Sequence, residues 1–118
     1  MSYSFYVGDE MVWDPALRVG KLYLGQVATV AEVLDLPSGL TPRLDGTCQI
    51  EPQVFAAFFA EFQAWYVKSR HPVLLPLAKG VLVVSLALLQ RTGQPPAGAG
   101  EAWDEILAEA IPVARHMA

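Results

Sequence analysis

The sequence predicts an α+β fold, mostly α: an N-terminal β-hairpin followed by a four-helix core with a central all-apolar helix. Three observations carry this prediction. The segment from His71 to Arg91, HPVLLPLAKGVLVVSLALLQR, has only Lys79, Ser85 and Gln90 as polar interruptions before Arg91. A helix that is apolar on every side must be enclosed. The first thirteen residues alternate and then turn, as a hairpin does. An acidic residue followed by proline recurs at Asp14-Pro15 and Glu51-Pro52, each ahead of an apolar periodic stretch. At 118 residues the chain is one domain.

Within residues 2–13, SYSFYV and Met11-Val12-Trp13 read as strands, with Gly8-Asp9-Glu10 as the turn. Asp14 is the expected N-cap of a helix over 15–34, and Pro15 suits its first position. Leu17, Leu24, Val27, Val30 and Leu34 form the apolar stripe of that helix. Gly20 and Gly25 weaken it by roughly 1 kcal/mol each relative to Ala; they mark either a break or a close approach to another helix.

Residues 35–51, punctuated by Pro37, Gly39, Pro42 and Gly46, read as a loop. Within it, Thr47 to Ile50 is a candidate third strand joining the hairpin. A helix over 52–69 follows, with Phe55, Phe58, Phe59, Phe62, Trp65 and Tyr66 at spacings of three and four. His71-Pro72 separates it from the all-apolar helix over 72–91, since the residue before proline avoids the α region. Residues 93–100 read as a Pro/Gly linker. The last helix spans 101–116, with Trp103, Ile106, Leu107, Ala110, Ile111 and Ala114 on one face and Asp104, Glu105 and Glu109 on another. Pro112 is expected to kink or fray its end, and His116 to lie in a frayed tail.

Composition narrows the function classes. The net charge is −4, and the eight Lys and Arg are scattered, so the positive footprint that nucleic-acid binding needs is missing. The apolar helix is read as a core helix, not a transmembrane span: Pro76, Lys79 and Gly80 interrupt it, and Val81 to Leu89 is too short to cross a bilayer. The N-terminus has neither a basic start nor an apolar run, so no signal peptide is expected. Lone Cys48 forms no internal disulfide and suits a reducing cytoplasm. With 53% hydrophobic and only 17% charged residues, some apolar surface is expected to stay exposed, and self-association as a homodimer is expected.

Catalytic candidates are few. His71 reads either as a C-terminal helix residue facing the last carbonyls or as a general base. Cys48 reads either as a small buried hydrophobe or as a nucleophile with His71 as its base. Glu61, amid Phe58, Phe62 and Trp65, either pairs inward with Lys79, or holds a raised pKa in an apolar pocket, or lies at a solvent-facing seam. No metal-ligand spacing is present, and GxGxxG, GxxxxGK[ST] and GxSxG are all missing, so neither metal nor cofactor is expected. Trp13, Phe55, Phe59, Trp65, Tyr66 and Trp103 are core rings, or the lining of an apolar pocket if the helices stand apart.

The opening SYSFYVGDEMVWDP, then LPSGL, CQIEP and HPVLLPLAKG before an apolar helix, is similar to a family of small proteins of unknown function from actinomycete bacteria. The resemblance covers residues 2–92 and leaves the linker and last helix outside. It implies a bacterial cytoplasmic protein and assigns no activity or catalytic residue.

The leading expectation is a non-enzymatic binding protein, immunity- or antitoxin-like, that recognises a protein partner or an apolar ligand. Its surface would combine the 35–51 loop, the hairpin and the acidic face of 101–109, since acidic inhibitors steer onto basic partners. The alternative is a small cofactor-independent enzyme or carrier for an apolar natural product, with Glu61, Trp65, Tyr66 and His71 in its pocket. Peripheral membrane association is disfavoured because no basic amphipathic face accompanies the apolar helix.

Overall fold

Gly8 adopts φ 60°, a backbone conformation that glycine reaches without steric cost. It folds β1 (Ser4–Val7) back on β2 (Glu10–Trp13) as an antiparallel hairpin. A bulge between Phe5 and Tyr6 brings Phe5 opposite Trp13, with ring centroids 4.9 Å apart. The rest of the fold, in a computed structural model that describes residues 1–94, 98 and 100–117, is α1 (Leu17–Leu34), β3 (Leu40–Pro42), β4 (Thr47–Ile50), α2 (Pro52–Lys68), α3 (Leu74–Arg91) and α4 (Glu101–Arg115). The class is α+β, mostly α, as the sequence predicts.

The sheet is larger than a hairpin. Its order is β2-β1-β4-β3. β4, the expected third strand, lies parallel to β1 in the register Phe5↔Cys48, while β3 pairs antiparallel with β4. The expected 35–51 loop is therefore half strand. Pro42 is accommodated because β3 is an edge strand, where a missing N–H is tolerated.

α1 begins two residues later than expected, and Asp14 does not cap it. Ser2 bridges to Ala16 in antiparallel fashion, which keeps residues 14–16 extended. The Leu17 N–H donates instead to the Met1 carbonyl (3.2 Å), so the chain's own start closes the helix end. The Ser4 hydroxyl donates to Asp14 Oδ1 at 2.7 Å. α1 runs without a break through both glycines. Gly20 provides a close approach, but to the N-terminal segment: a Cβ there would stand 2.7 Å from Tyr3 Cβ. Gly25 faces open space.

α2 starts at Pro52 as expected and ends at Lys68. α3 is central: Ala78, Val81, Leu82, Val83 and every residue from Ser85 to Leu89 are buried, and it packs against α1, α2, α4 and β2. Among the described residues it is the one helix long and apolar enough to cross a membrane, and half of it is buried inside the chain, the pattern of a core helix. Pro112 does not end α4, which continues to Arg115. The tail is docked: the Met117 N–H donates to the Ala114 carbonyl (3.1 Å), and the Met117 side chain is buried. Residues 95–97 and 99 of the expected linker lie outside the described residues.

Candidate functional site

The three catalytic candidates stand apart. Cys48 is fully buried in β4, where burial pushes its thiol up to about 12, so at neutral pH it is a protonated thiol with no nucleophilic character. His71 lies beyond the end of α2 and does not face its carbonyls. Its Nδ1 accepts the Val73 N–H (3.2 Å) and the Leu74 N–H (3.3 Å), which caps the start of α3. Glu61 is exposed and does not meet Lys79. The Lys79 ammonium instead reaches across to α4 and pairs with Glu105 (2.7 Å) and Glu109 (2.8 Å). Both carboxylates hold the Lys79 pKa above its usual value. Among the described residues there is no group of acidic, histidine and cysteine side chains able to hold a metal.

The candidate rings divide between clusters. Phe55 and Phe59 are buried in the core, and Trp103 packs edge-on to Phe59 with centroids 6.0 Å apart. Tyr66 is buried, while Trp65 is half-buried against Phe62. Trp13 belongs to a separate group with Phe5 and Tyr23.

Trp13 leads to an open groove of about 780 Å³ between β2, α1 and the ends of α3 and α4. β2 contributes Met11, Val12 and Trp13; α1 contributes Val19, Leu22, Tyr23 and Gln26. Asp14, Pro15 and Ala16 between β2 and α1, Val84 and Arg91 of α3, and Val113, His116 and Met117 from the end of the chain complete it. Its volume lies within the range of ligand sites, roughly 300–1,000 Å³.

Two polar ties hold the walls. The Tyr23 hydroxyl and Ser85 Oγ are 2.7 Å apart and buried, which fixes α1 to α3. The Arg91 Nε donates to the Val12 carbonyl, which fixes the end of α3 to β2. Burial raises the Tyr23 pKa strongly, with the Ser85 hydrogen bond only partly opposing it, so the phenol stays neutral and the tie persists at physiological pH. Met11, Val19 and Leu22 are half or more exposed, so this groove offers apolar surface to solvent.

A second groove of about 570 Å³ lies between Leu36-Pro37 and the Gln53, Val54, Ala57, Phe58 and Glu61 side of α2. It is the setting of Glu61. Its walls have no comparable pair of polar ties.

Apart from Trp13, the larger groove was missed in the sequence. Its signal was present in α1, where Val19 and Leu22, which line the groove, and the exposed Val33 lie off the expected stripe. The buried centre of that helix is Gly20, Tyr23 and Val27, so these three apolar residues are left over on a second face.

The chain belongs to a family of unknown function, DUF6086, whose profile matches residues 1–118. The match takes in the linker and the last helix, which the sequence resemblance left outside. No curated protein and no solved structure matches the chain.

Proposed function

We propose that the protein is a small non-catalytic binding protein, and that the groove between β2, α1 and the chain's end receives an apolar ligand. The observation that carries this reading is the groove itself: exposed Met11, Val19 and Leu22 beside Trp13, on walls pinned by Tyr23–Ser85 and Arg91–Val12. Preformed, mostly apolar concavities with few polar groups are the usual form of ligand sites. A cytoplasmic setting in a bacterium suits the single buried thiol.

The acidic face expected to meet a basic partner supports that version less well. Glu105 and Glu109 share the single positive charge of Lys79, so part of the field that would steer a basic protein is neutralised locally. The residues the enzyme reading relies on, Glu61, Trp65, Tyr66 and His71, do not line this groove.

The test uses a neutral apolar dye, Nile red, titrated into the protein. Saturable one-to-one binding is expected, and Leu22→Glu should abolish it while the far-ultraviolet circular dichroism is unchanged. Dye binding that survives Leu22→Glu but is lost with Ala57→Glu, in the second groove, would overturn the assignment.

A further inference from the structure

Arg91 is the feature of the groove that its apolar walls do not explain. Its Nε is engaged by the Val12 carbonyl, which anchors the guanidinium at the groove, and among the described residues its two terminal nitrogens have no ion-pair partner. Among the described residues only Lys79 forms ion pairs, so none of their carboxylates is paired with Arg91. Among the described residues the one acidic side chain in the lining is Asp14; its Oδ1 accepts from the Ser4 hydroxyl and it forms no ion pair with Arg91.

We propose, on the basis of the groove reading above, that the ligand is an amphiphilic monocarboxylate. Its carboxylate sits on the terminal nitrogens of Arg91, and its aliphatic tail lies along Trp13, Val19, Leu22 and Met117. A planar two-oxygen anion matches the arginine fork. A doubly charged phosphate head would meet greater repulsion from a chain of net charge −4. A cationic head would lie in the same groove as the Arg91 guanidinium, whose like charge opposes it.

Isothermal titration with dodecanoate and dodecyltrimethylammonium, each below its micellar concentration, and with dodecanol below its solubility limit separates the possibilities. Dodecanoate is expected to bind about tenfold or more tighter than dodecanol, the margin of a charge-assisted hydrogen-bonded pair, and the ammonium weakest. Arg91→Gln should erase the margin over dodecanol. Because Arg91 also ties α3 to β2, Arg91→Lys provides a second reading: it keeps the charge, loses the fork, and should retain the preference over the ammonium at reduced affinity. Leu22→Glu should remove dodecanoate and dodecanol binding together.

Equal affinities for dodecanoate and dodecanol in the unaltered protein would overturn the carboxylate assignment and leave the groove standing. Binding of none of the three would overturn both.

Discussion

His71 does backbone work with a side chain that invites a catalytic reading. The first N–H groups of a helix lack intrahelical partners, and α3 begins after a proline with no Ser, Thr, Asp or Asn in the capping position. His71 Nδ1 takes that role by accepting from Val73 and Leu74. An accepting Nδ1 places the proton of the neutral ring on Nε2. Removing the cap should cost about 1 kcal/mol. His71→Ala is expected to lower the free energy of urea unfolding by that amount, and His71→Asn to recover much of it, because asparagine supplies a short acceptor. Equal stability of the alanine variant and the parent would show that water satisfies those two donors as well as the imidazole does.

At the scale of elements, one glycine governs how the sheet hands the chain to α2. Gly39 has φ 80°, and a Cβ there would stand 2.6 Å from the Phe55 nitrogen and 3.1 Å from its Cα. Its carbonyl accepts the Glu51 N–H at 2.8 Å. The entry to β3 is therefore lodged against the first turn of α2, whose backbone cannot step aside. Gly39→Ala combines a left-handed conformation with a backbone clash and should destabilise by roughly 2–4 kcal/mol. Gly8 also has positive φ, but nothing lies near its missing Cβ, so Gly8→Asn should cost under about 1 kcal/mol. Thermal unfolding of the two variants side by side checks the contrast.

The helices and the first hairpin were legible because each carries a local signature: a Pro at Pro52, a turn glycine at Gly8, aromatic spacings of three and four across α2. β3 was not, since it has three residues and one of them is proline. Nor was the β1–β4 pairing, which joins Phe5 to Cys48 across the whole of α1. The groove draws on positions as distant as Trp13, Leu22, Arg91 and His116, and no local period links them. Only the surplus apolar residues of α1 hinted at it.

At the scale of the whole molecule, the shifted ionisable groups make stability asymmetric in pH. On the acid side two exposed carboxylates are lowered: Asp14 by Ser4 and Ser2, and Asp45 chiefly by its hydrogen bond from Thr47. A lowered folded-state pKa contributes stability above the ordinary carboxylate value, lost as pH falls through the folded value. Both groups are surface groups, so this acid-side loss is shallow. On the alkaline side Cys48, Tyr23, Tyr3 and Tyr66 are raised, each first by burial, and Lys79 is raised by its two carboxylates. A raised folded-state pKa contributes stability that is complete below the unfolded value and is lost as pH rises toward the folded one. All five therefore act in the same direction. Cys48 acts first, because its ordinary value of 9.0 is the lowest of the set, and its loss extends to about 12. Urea-unfolding free energy should be flat from about pH 6 to 8, then fall by about 1.4 kcal/mol by pH 10 from the Cys48 proton alone. Cys48→Ala lowers stability at pH 7 by leaving a small void, so the informative quantity is the slope. The variant should show a distinctly shallower decline between pH 8 and 10, with the tyrosines and Lys79 taking over above that. Parallel slopes for the variant and the parent would mean that the Cys48 thiol ionises in the folded protein as readily as in the unfolded chain, and that the sheet interior around it admits water.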